Sequence, residues 1–418
     1  MKEVYFYLSS MVQELTQNQQ SISRKYITYR FLTSLYFVTA VWLFFYRIFI
    51  NDQQVGIVDA LAFAVGLFAE VPSGVLADRF GRAKMVKIGL FLIATGMFTQ
   101  MMGGLALIFV GQAVVMVGAA FVSGADEALF FEKLKFETTS SHWRKLVTKC
   151  SQASLVGGLL ATFLGGWLHM VDPRLPWALT GSAFVVAATT VLSMKDSRGI
   201  KSRNKIGVEL REYLSNIASG FAQFATPKLL MYVPIIVAVQ GLFYTTDWGL
   251  LRVLLLGRFY FDPFWGAAVV SASGIITILV LGIIHKHADS FSEKYIISLV
   301  SLVAAASLLF SLFDIGYLGF FVIFALYAGE QILHPFMSEV LNNHTEDQQR
   351  ATVLSVASFL RTLPYVILAP VIGYLSTQGS LNYFLVVWAV IICSAVIFYL
   401  ALKKKDARIP FVEEVTGL

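Results

Sequence analysis

Two ionisable side chains lie deep inside long apolar stretches of the sequence. Glu330 lies about 14 residues into the stretch 316–340, and Arg361 lies about ten residues into the stretch 351–375. A charge at the centre of a lipid bilayer costs roughly 2.5–3.5 kcal/mol or more, which makes such residues candidates for function. Burial in a dry cavity favours the neutral form of a carboxyl group. Glu330 is therefore a candidate for binding and releasing a proton; the alternative is a purely structural ion pair with Arg361.

A second set of carboxylates lies near one end of the apolar stretches. Glu70, Asp126 and Glu127 are all within predicted reach of Arg79 and Arg82. Opposite charges at neighbouring helix ends form ion-pair networks, and clustered carboxylates also bind protons. These residues are predicted to form a charge network or, alternatively, a second protonation site.

Other polar and aromatic residues are candidates for contact with a small molecule. Arg30 either extends to the membrane surface or attracts an anionic ligand, and Asp247 either pairs with Arg252 one turn away or takes part in an outer gate. Each aromatic candidate can instead face lipid or a neighbouring helix. The predicted binding residues are Arg30, Tyr36, Tyr244, Asp247, Trp248 and Tyr327.

The composition shows which elements carry these residues. Apolar residues make up 57% of the 418 and charged residues 14%, against about 25% charged in soluble domains. A membrane-spanning helix needs about 20 mostly apolar residues. Twelve stretches qualify: 26–49, 55–77, 86–104, 106–131, 148–170, 176–194, 229–256, 264–285, 294–313, 316–340, 351–375 and 380–402. The predicted fold is an all-α membrane protein with twelve transmembrane helices.

Charge and loop length predict the organisation of these spans. Most of the 32 Lys and Arg fall on the side that carries both termini, so both termini are predicted to be cytoplasmic. A long basic loop divides the spans six and six. The predicted parts are an amphipathic segment 1–25, a six-helix bundle 26–195, a linker 196–228 with a helix on the membrane surface, a six-helix bundle 229–402 and a tail 403–418.

The loop after the second span carries the most specific motif. It reads Gly74-Val75-Leu76-Ala77-Asp78-Arg79-Phe80-Gly81-Arg82-Ala83-Lys84. This motif resembles the signature G-x-L-x-D-R-x-G-R of the major facilitator superfamily, whereas a plain basic loop needs neither the aspartate nor the glycine spacing. The resemblance covers all twelve spans and implies two pseudo-symmetric six-helix bundles that alternate access to a central site. It also implies that Gly74, Asp78, Arg79, Gly81 and Arg82 form a latch on the cytoplasmic side. Glu70 is predicted to complete this latch through the charge network described above.

Two weaker motifs indicate what such a transporter would do. Gly329-Glu330 followed by Pro335 is similar to the G-E-x-x-x-x-P element of some proton-driven multidrug exporters, in which the glutamate binds the coupling proton. Gly157, Gly165 and Gly166 partly fit the antiporter motif of span five. Ala161 and Thr162 replace its central Gly and Pro, so ordinary helix packing explains that motif equally well.

The sequence therefore predicts a monomeric, proton-coupled exporter of a small amphipathic molecule, in a bacterial inner membrane. Three alternatives stay open: an uptake symporter for an anionic metabolite, a lipid or lysolipid flippase, and a membrane receptor that has lost transport. No phosphate-binding loop or cysteine–histidine cluster is present, so no enzyme activity, metal, cofactor or nucleic-acid partner is predicted.

Overall fold

The computed structural model describes residues 17–135, 140–192, 218–286, 292–346 and 349–406, together with residues 194 and 215. Helices are the regular structure throughout these ranges, which contain no strand. Most of the predicted N-terminal segment, most of the linker and most of the tail lie outside the described residues. The first helix among the described residues spans Gln17–Thr33 and thus begins within the predicted segment 1–25.

Apart from a helical stretch at 218–224, the helices of the described residues group into twelve rods that follow the predicted spans, and we label them α1–α12. Nine are continuous: α2 Asp52–Phe80, α3 Arg82–Met101, α5 Ser140–Val171, α6 Leu175–Leu192, α8 Pro263–Lys286, α9 Glu293–Phe310, α10 Gly319–Asn343, α11 Arg350–Thr377 and α12 Leu381–Asp406. Three are interrupted: α1 (Gln17–Thr33 and Trp42–Tyr46), α4 (Leu105–Val122 and Ala125–Lys135) and α7 (Pro227–Leu230, Val233–Ile235, Ile236–Gln240, Gly241–Asp247 and Leu251–Arg258).

Ten of these rods contain a helix long and apolar enough to cross a membrane. The two rods outside this set are α1 and α3, so the count of twelve crossings stays a prediction for them. We call the end of the molecule that carries Gly81, between α2 and α3, the basic end. The end that carries Asn51, between α1 and α2, is the turn end.

The break in α1 has a local chemical cause. The hydroxyl of Thr33 donates to the carbonyl oxygen of Tyr29 at 2.9 Å, and that of Ser34 donates to the carbonyl oxygen of Arg30 at 2.7 Å. Such side-chain bonds compete with the helical backbone pattern. Beyond the break, the backbone N–H of Phe37 donates to Thr180 of α6 at 3.1 Å. Because a neighbouring helix satisfies this group, an interrupted helix is tolerated at membrane depth.

Glycines let the helices approach closely within and between the halves. A Cβ built on Gly89 of α3 would lie 2.7 Å from the carbonyl oxygen of Gly118 of α4. In α5, a Cβ on Gly157 would lie 2.9 Å from the carbonyl oxygen of Phe31, and one on Gly166 would lie 2.8 Å from that of Pro263. The span-five glycines thus act as small packing residues against α1 and α8.

The molecule consists of a first half, α1–α6, and a second half, α7–α12. Contacts between the halves run mainly along two helix pairs, α2 with α11 and α5 with α8. In the second half, α7 contains a π-helical turn at Ile236–Gln240. The indole N–H of Trp388 in α12 donates to the carbonyl oxygen of Ala238 inside this turn, at 2.9 Å. The bond anchors the middle of α7 to α12.

Candidate functional site

A buried ion pair lies between α10 and α11. Arg361 Nη1 donates to Glu330 Oε1 at 2.9 Å, and both side chains are largely buried. Glu330 Oε2 and Arg361 Nε are buried without a hydrogen-bond partner. The pair is thus held by one hydrogen bond, although the two groups could form two. The structure brings together the two residues that the sequence singled out.

Local features of α10 place Glu330 at this position. A Cβ on Gly329 would meet the ring of Phe243, so the glycine lets α10 approach α7. Pro335 lies inside α10 and has no N–H to donate to the carbonyl of Gln331, which weakens the helix just past Glu330. On the other side of the pair, the Arg361 guanidinium carbon lies 5.2 Å from the centre of the Tyr244 ring.

A second buried ion pair lies in α7. Arg252 Nη1 donates to Asp247 Oδ1 at 2.8 Å, as the sequence allowed. Arg252 Nη2 also donates to the carbonyl oxygen of Thr39, in the break of α1, at 3.3 Å. The pair borders a small cavity between α7 and α10. Its lining residues are Thr246, Asp247, Arg252, Leu255, Ile323, Leu326 and Tyr327.

The predicted network of Asp126 and Glu127 with Arg79 and Arg82 needs correction. Asp126 lies 3.6 Å from Arg30 Nη1 and accepts a hydrogen bond from the Tyr29 hydroxyl at 3.2 Å. Glu127 is exposed. The interruption of α4 at Gly124 (φ +70°) redirects the chain just before Asp126, and α1 packs beside that piece.

The structure gives Arg82 a different ionic partner. Its guanidinium pairs with Glu132 of α4, which the sequence analysis missed. Glu132 lies two turns beyond Asp126, so its distance from Arg82 depends on how far α4 extends after its break.

The signature loop forms a tight helix–helix corner. Gly81 has φ +97°, a conformation that L side chains rarely adopt, and it separates α2 from α3. A Cβ on Gly74 would have no atom within 4 Å. Glu70 and Arg79 are exposed, and the side chain of Asp78 lies outside the described part of the chain. Gly81 thus forms the tight turn between α2 and α3, while the latch role stays a prediction.

The predicted small-molecule residues occupy different environments. Tyr327 borders the small cavity, and Tyr36 packs edge-on against Phe184. Arg30 has a partly exposed side chain beside Asp126. Trp248 is 59% exposed at the surface of α7, so it does not join Tyr244 and Asp247 in the interior.

The contacts that join the two halves lie from the turn end to about mid-depth. Ser376 of α11 donates to Asp52 at 2.6 Å, and Arg47 donates to the same carboxylate through two nitrogens at 2.7 Å. Deeper, the Tyr365 hydroxyl of α11 donates to the buried Asp59 of α2. The sequence analysis did not foresee either link, because both depend on how α2 and α11 cross.

The described residues do not assemble a metal site. No three His, Cys, Asp or Glu side chains within the described ranges come together as a metal ion would require. The side chains of the buried pairs can bind protons, form ion pairs and make hydrogen bonds.

Together, the fold and these pairs define a class of helical membrane proteins built from two packed halves. The profile of the Major Facilitator Superfamily matches residues 26–367, most of the chain, and the protein belongs to this family of transporters rather than to the enzymes. The resemblance seen in the signature loop is thereby confirmed.

Known proteins with similar sequences are also transporters. Multidrug resistance protein 2 of Bacillus subtilis (strain 168) is 26% identical over 244 residues, which cover 57% of this chain and 59% of that protein. The uncharacterized MFS-type transporter YxaM of the same organism is 21% identical over 369 residues, covering 84% and 88%. The chain thus spans about three fifths of the length of the first relative and most of the second.

Solved structures share the fold. The nucleoside transporter NupG superimposes with a TM-score of 0.70 at 12% identity, covering 93% of this chain and 100% of that one. The peptide transporter POT in complex with sulfate gives a TM-score of 0.71 at 14% identity, covering 94% of each chain. A D-xylose-proton symporter gives 0.67 at 12% identity, covering 91% and 96%.

Proposed function

We propose that the protein is a proton-coupled exporter of small amphipathic molecules, and that Glu330 binds the coupling proton. The observation that carries the proposal is the buried Glu330–Arg361 pair, held by one hydrogen bond while Glu330 Oε2 has no partner. A fully paired carboxylate would be locked in its ionised form. A buried carboxylate with one unpaired oxygen is destabilised by desolvation, and protonation removes this destabilisation.

Protonation of Glu330 would also change its surroundings. The neutral acid no longer balances the charge of Arg361. The guanidinium is then stabilised only by the Tyr244 ring and by any ligand that enters the site. One O–H bond forms on the carboxyl group, and the proton comes from water. Glu330 lies about 17 Å below the turn end of α10, near the middle of a membrane about 30 Å thick. A residue at this depth can be exposed to water from one membrane face and then from the other.

The direction of transport and the type of substrate rest on two supports. The relative from Bacillus subtilis carries the name Multidrug resistance protein 2. The interior of the second half also combines carboxylates, Glu330 and Asp247, with aromatic rings, Tyr244 and Tyr327, a combination that suits an amphipathic cation.

A second candidate function is uptake of an anionic metabolite together with protons. The favouring observation is Arg30, whose side chain is 38% exposed and lies 3.6 Å from Asp126, farther than a good ionic hydrogen bond. A guanidinium held this loosely could exchange Asp126 for a carboxylate or phosphate of a substrate.

The test is transport into vesicles that contain the purified protein. With an acidic lumen, protein in the orientation that exposes its basic end should take up the cationic dye ethidium as protons leave. Glu330→Gln should reduce this uptake to the level of protein-free vesicles, because the amide cannot bind a proton. Glu339→Gln, which neutralises an exposed carboxylate on the same helix, is the matched control.

Each candidate predicts a distinct result. Uptake by Glu330→Gln that still follows the pH gradient would contradict the role of Glu330. Dye uptake that occurs only when the lumen is alkaline would contradict export in exchange for protons. Uptake of an anionic probe such as lactate only when the lumen is alkaline, with no dye transport, would favour the symporter. Circular dichroism and a thermal melt of both variants show whether the fold is retained.

A further inference from the structure

Asp59 is a buried carboxyl group without a cationic partner. It is 2% exposed, and none of the ion pairs between described residues includes it. Its Oδ2 accepts a hydrogen bond from the Tyr365 hydroxyl, and its Oδ1 is buried with no partner. An isolated ionised carboxylate in such surroundings is far more costly than the neutral acid.

The neighbours of Asp59 supply no positive charge. The titratable groups that face it are Tyr46 of α1, Tyr244 of α7 and Tyr365 of α11, which are uncharged near neutral pH. The charged residues of α3 and α4, the first-half helices packed on α2, fall at 82–87 and 126–135, near the basic end. On α11, Arg361 is engaged by Glu330.

Asp59 lies on the surface where the two halves meet. A Cβ on Gly56, one turn before it, would overlap the carbonyl oxygen of Ala369, and the ring of Phe63, one turn after it, packs edge-on against Tyr365 at 5.2 Å. Any separation of α2 from α11 at the turn end must therefore break the Asp59–Tyr365 bond and admit water.

A chain of contacts connects Asp59 to the Glu330 pair. The rings of Tyr365 and Tyr244 have centres 6.2 Å apart, and Arg361 lies over Tyr244. Asp59 lies about 10 Å below the start of α2 and Glu330 about 17 Å below the start of α10. Asp59 is thus the shallower of the two carboxyl groups, on the side of the turn end.

We propose that Asp59 is a second proton-binding site, protonated when the halves are closed at the turn end and ionised when they separate there. Water at the turn end supplies the proton, one O–H bond forms on the Asp59 carboxyl group, and no other covalent bond changes. Because the closed conformation binds one more proton than the open one, linkage requires that low pH favours closure and high pH favours opening. Proton binding by Asp59 is inferred from the contacts of Asp59 alone. Only the use of this proton in a transport cycle rests on the proposed function.

The experiment measures the separation of the halves as a function of pH. Spin labels at Ile48→Cys and Gln378→Cys, exposed turn-end residues on opposite halves, report the distance in lipid nanodiscs, with Cys150 and Cys393 replaced by alanine. The short distance should dominate at low pH and give way to a longer one as the pH rises. Asp59→Asn should keep the short distance at all pH values, because its amide mimics the neutral acid.

Three further variants keep the proposal falsifiable. Tyr365→Phe should leave the distances at low pH unchanged. At high pH it should lower the closed-to-open ratio about tenfold, since the Tyr365 hydroxyl stabilises the ionised Asp59 carboxylate more than the neutral acid. Asp314→Asn, at an exposed carboxylate of the same end, should behave as the wild type. Glu330→Gln should keep the pH response.

The outcomes separate this proposal from the proposed function. A wild-type pH response in Asp59→Asn, or a Tyr365→Phe effect confined to low pH, would overturn the role of Asp59 and leave Glu330 untouched. Loss of the pH response in Asp59→Asn together with gradient-driven transport by Glu330→Gln would support Asp59 and contradict the proposed function instead.

Discussion

The two ends of the molecule differ in how the halves meet. At the turn end, the carboxylates of Asp52 and Asp59 accept hydrogen bonds from α11, and Arg252 of α7 reaches the backbone of α1. At the basic end, the described ion pairs stay within one half: Arg82 with Glu132 in the first, and Lys403 with Glu293 in the second.

The exposure of residues along α2 also differs between the turn end and the basic end. Gly56 of α2 lies against α11, whereas Gly74, five turns further along the same helix, has open space around it, and Phe68 between them is 77% exposed. The halves of this conformation are therefore closed at the turn end and separated along the basic end of α2. This is the arrangement in which the predicted latch would be released.

The largest expected effect comes from filling the contact at the turn end. Gly56→Ala should shift the spin-label distance across the turn end towards the open value, roughly tenfold or more in population, since overpacking costs about 1–3 kcal/mol. Gly282→Ala, at the basic end of α8, where a Cβ would have no atom within 4 Å, is the control and should leave the distance unchanged. Equal effects of the two substitutions would contradict the difference between the ends.

A smaller effect is expected from a single hydrogen bond across the halves. Ser376→Ala removes the hydroxyl that reaches Asp52, while Arg47 continues to hold that carboxylate. The closed-to-open ratio should fall about fivefold, equivalent to about 1 kcal/mol. Ser380→Ala, whose hydroxyl bonds within its own turn, should have no effect in the same distance measurement. A Ser376→Ala distribution identical to the wild type would show that this bond does not hold the halves together.

The smallest effect is expected at the basic end. Arg82 and Glu132 are each about one third exposed, and partly exposed pairs contribute about 0–1 kcal/mol. Arg82→Gln should therefore change the thermal stability little and leave the turn-end distance unchanged. A clear shift of that distance would mean that the basic end already controls the other end in this conformation.

The sequence predicted how deep a residue lies in the membrane better than it predicted which neighbouring helix that residue faces. The positions of Glu330 and Arg361 in their stretches were enough to foresee their pairing, because two opposite charges at similar depth in lipid have few other partners. Asp59 and Tyr365 were not paired in advance, since helices that are apolar on every side carry no periodicity to show which face meets a neighbour.

The interruptions of α1 and α7 were not predicted, although the sequence of α7 contains residues that weaken a helix. Gly241 and Gly249 fall within the predicted seventh span, where α7 is divided, and Pro234 lies in the first turn of the short piece Val233–Ile235. The break at residues 34–41 of α1 contains no glycine or proline and is mostly apolar, so it read as a continuous span. Its cause, hydroxyl groups bonded to nearby carbonyls and an amide satisfied by α6, appears only when the neighbouring helix is in place.

The π-helical turn of α7 has a consequence for the face that α7 presents to α11. A π turn accommodates one residue more than an α-helical turn, so everything after it is rotated by about 100° relative to an uninterrupted helix. Tyr244 follows this turn within the helix Gly241–Asp247. The one-residue insertion therefore sets the azimuth at which the Tyr244 ring lies beneath Arg361, and a regular helix of the same sequence would aim that ring elsewhere.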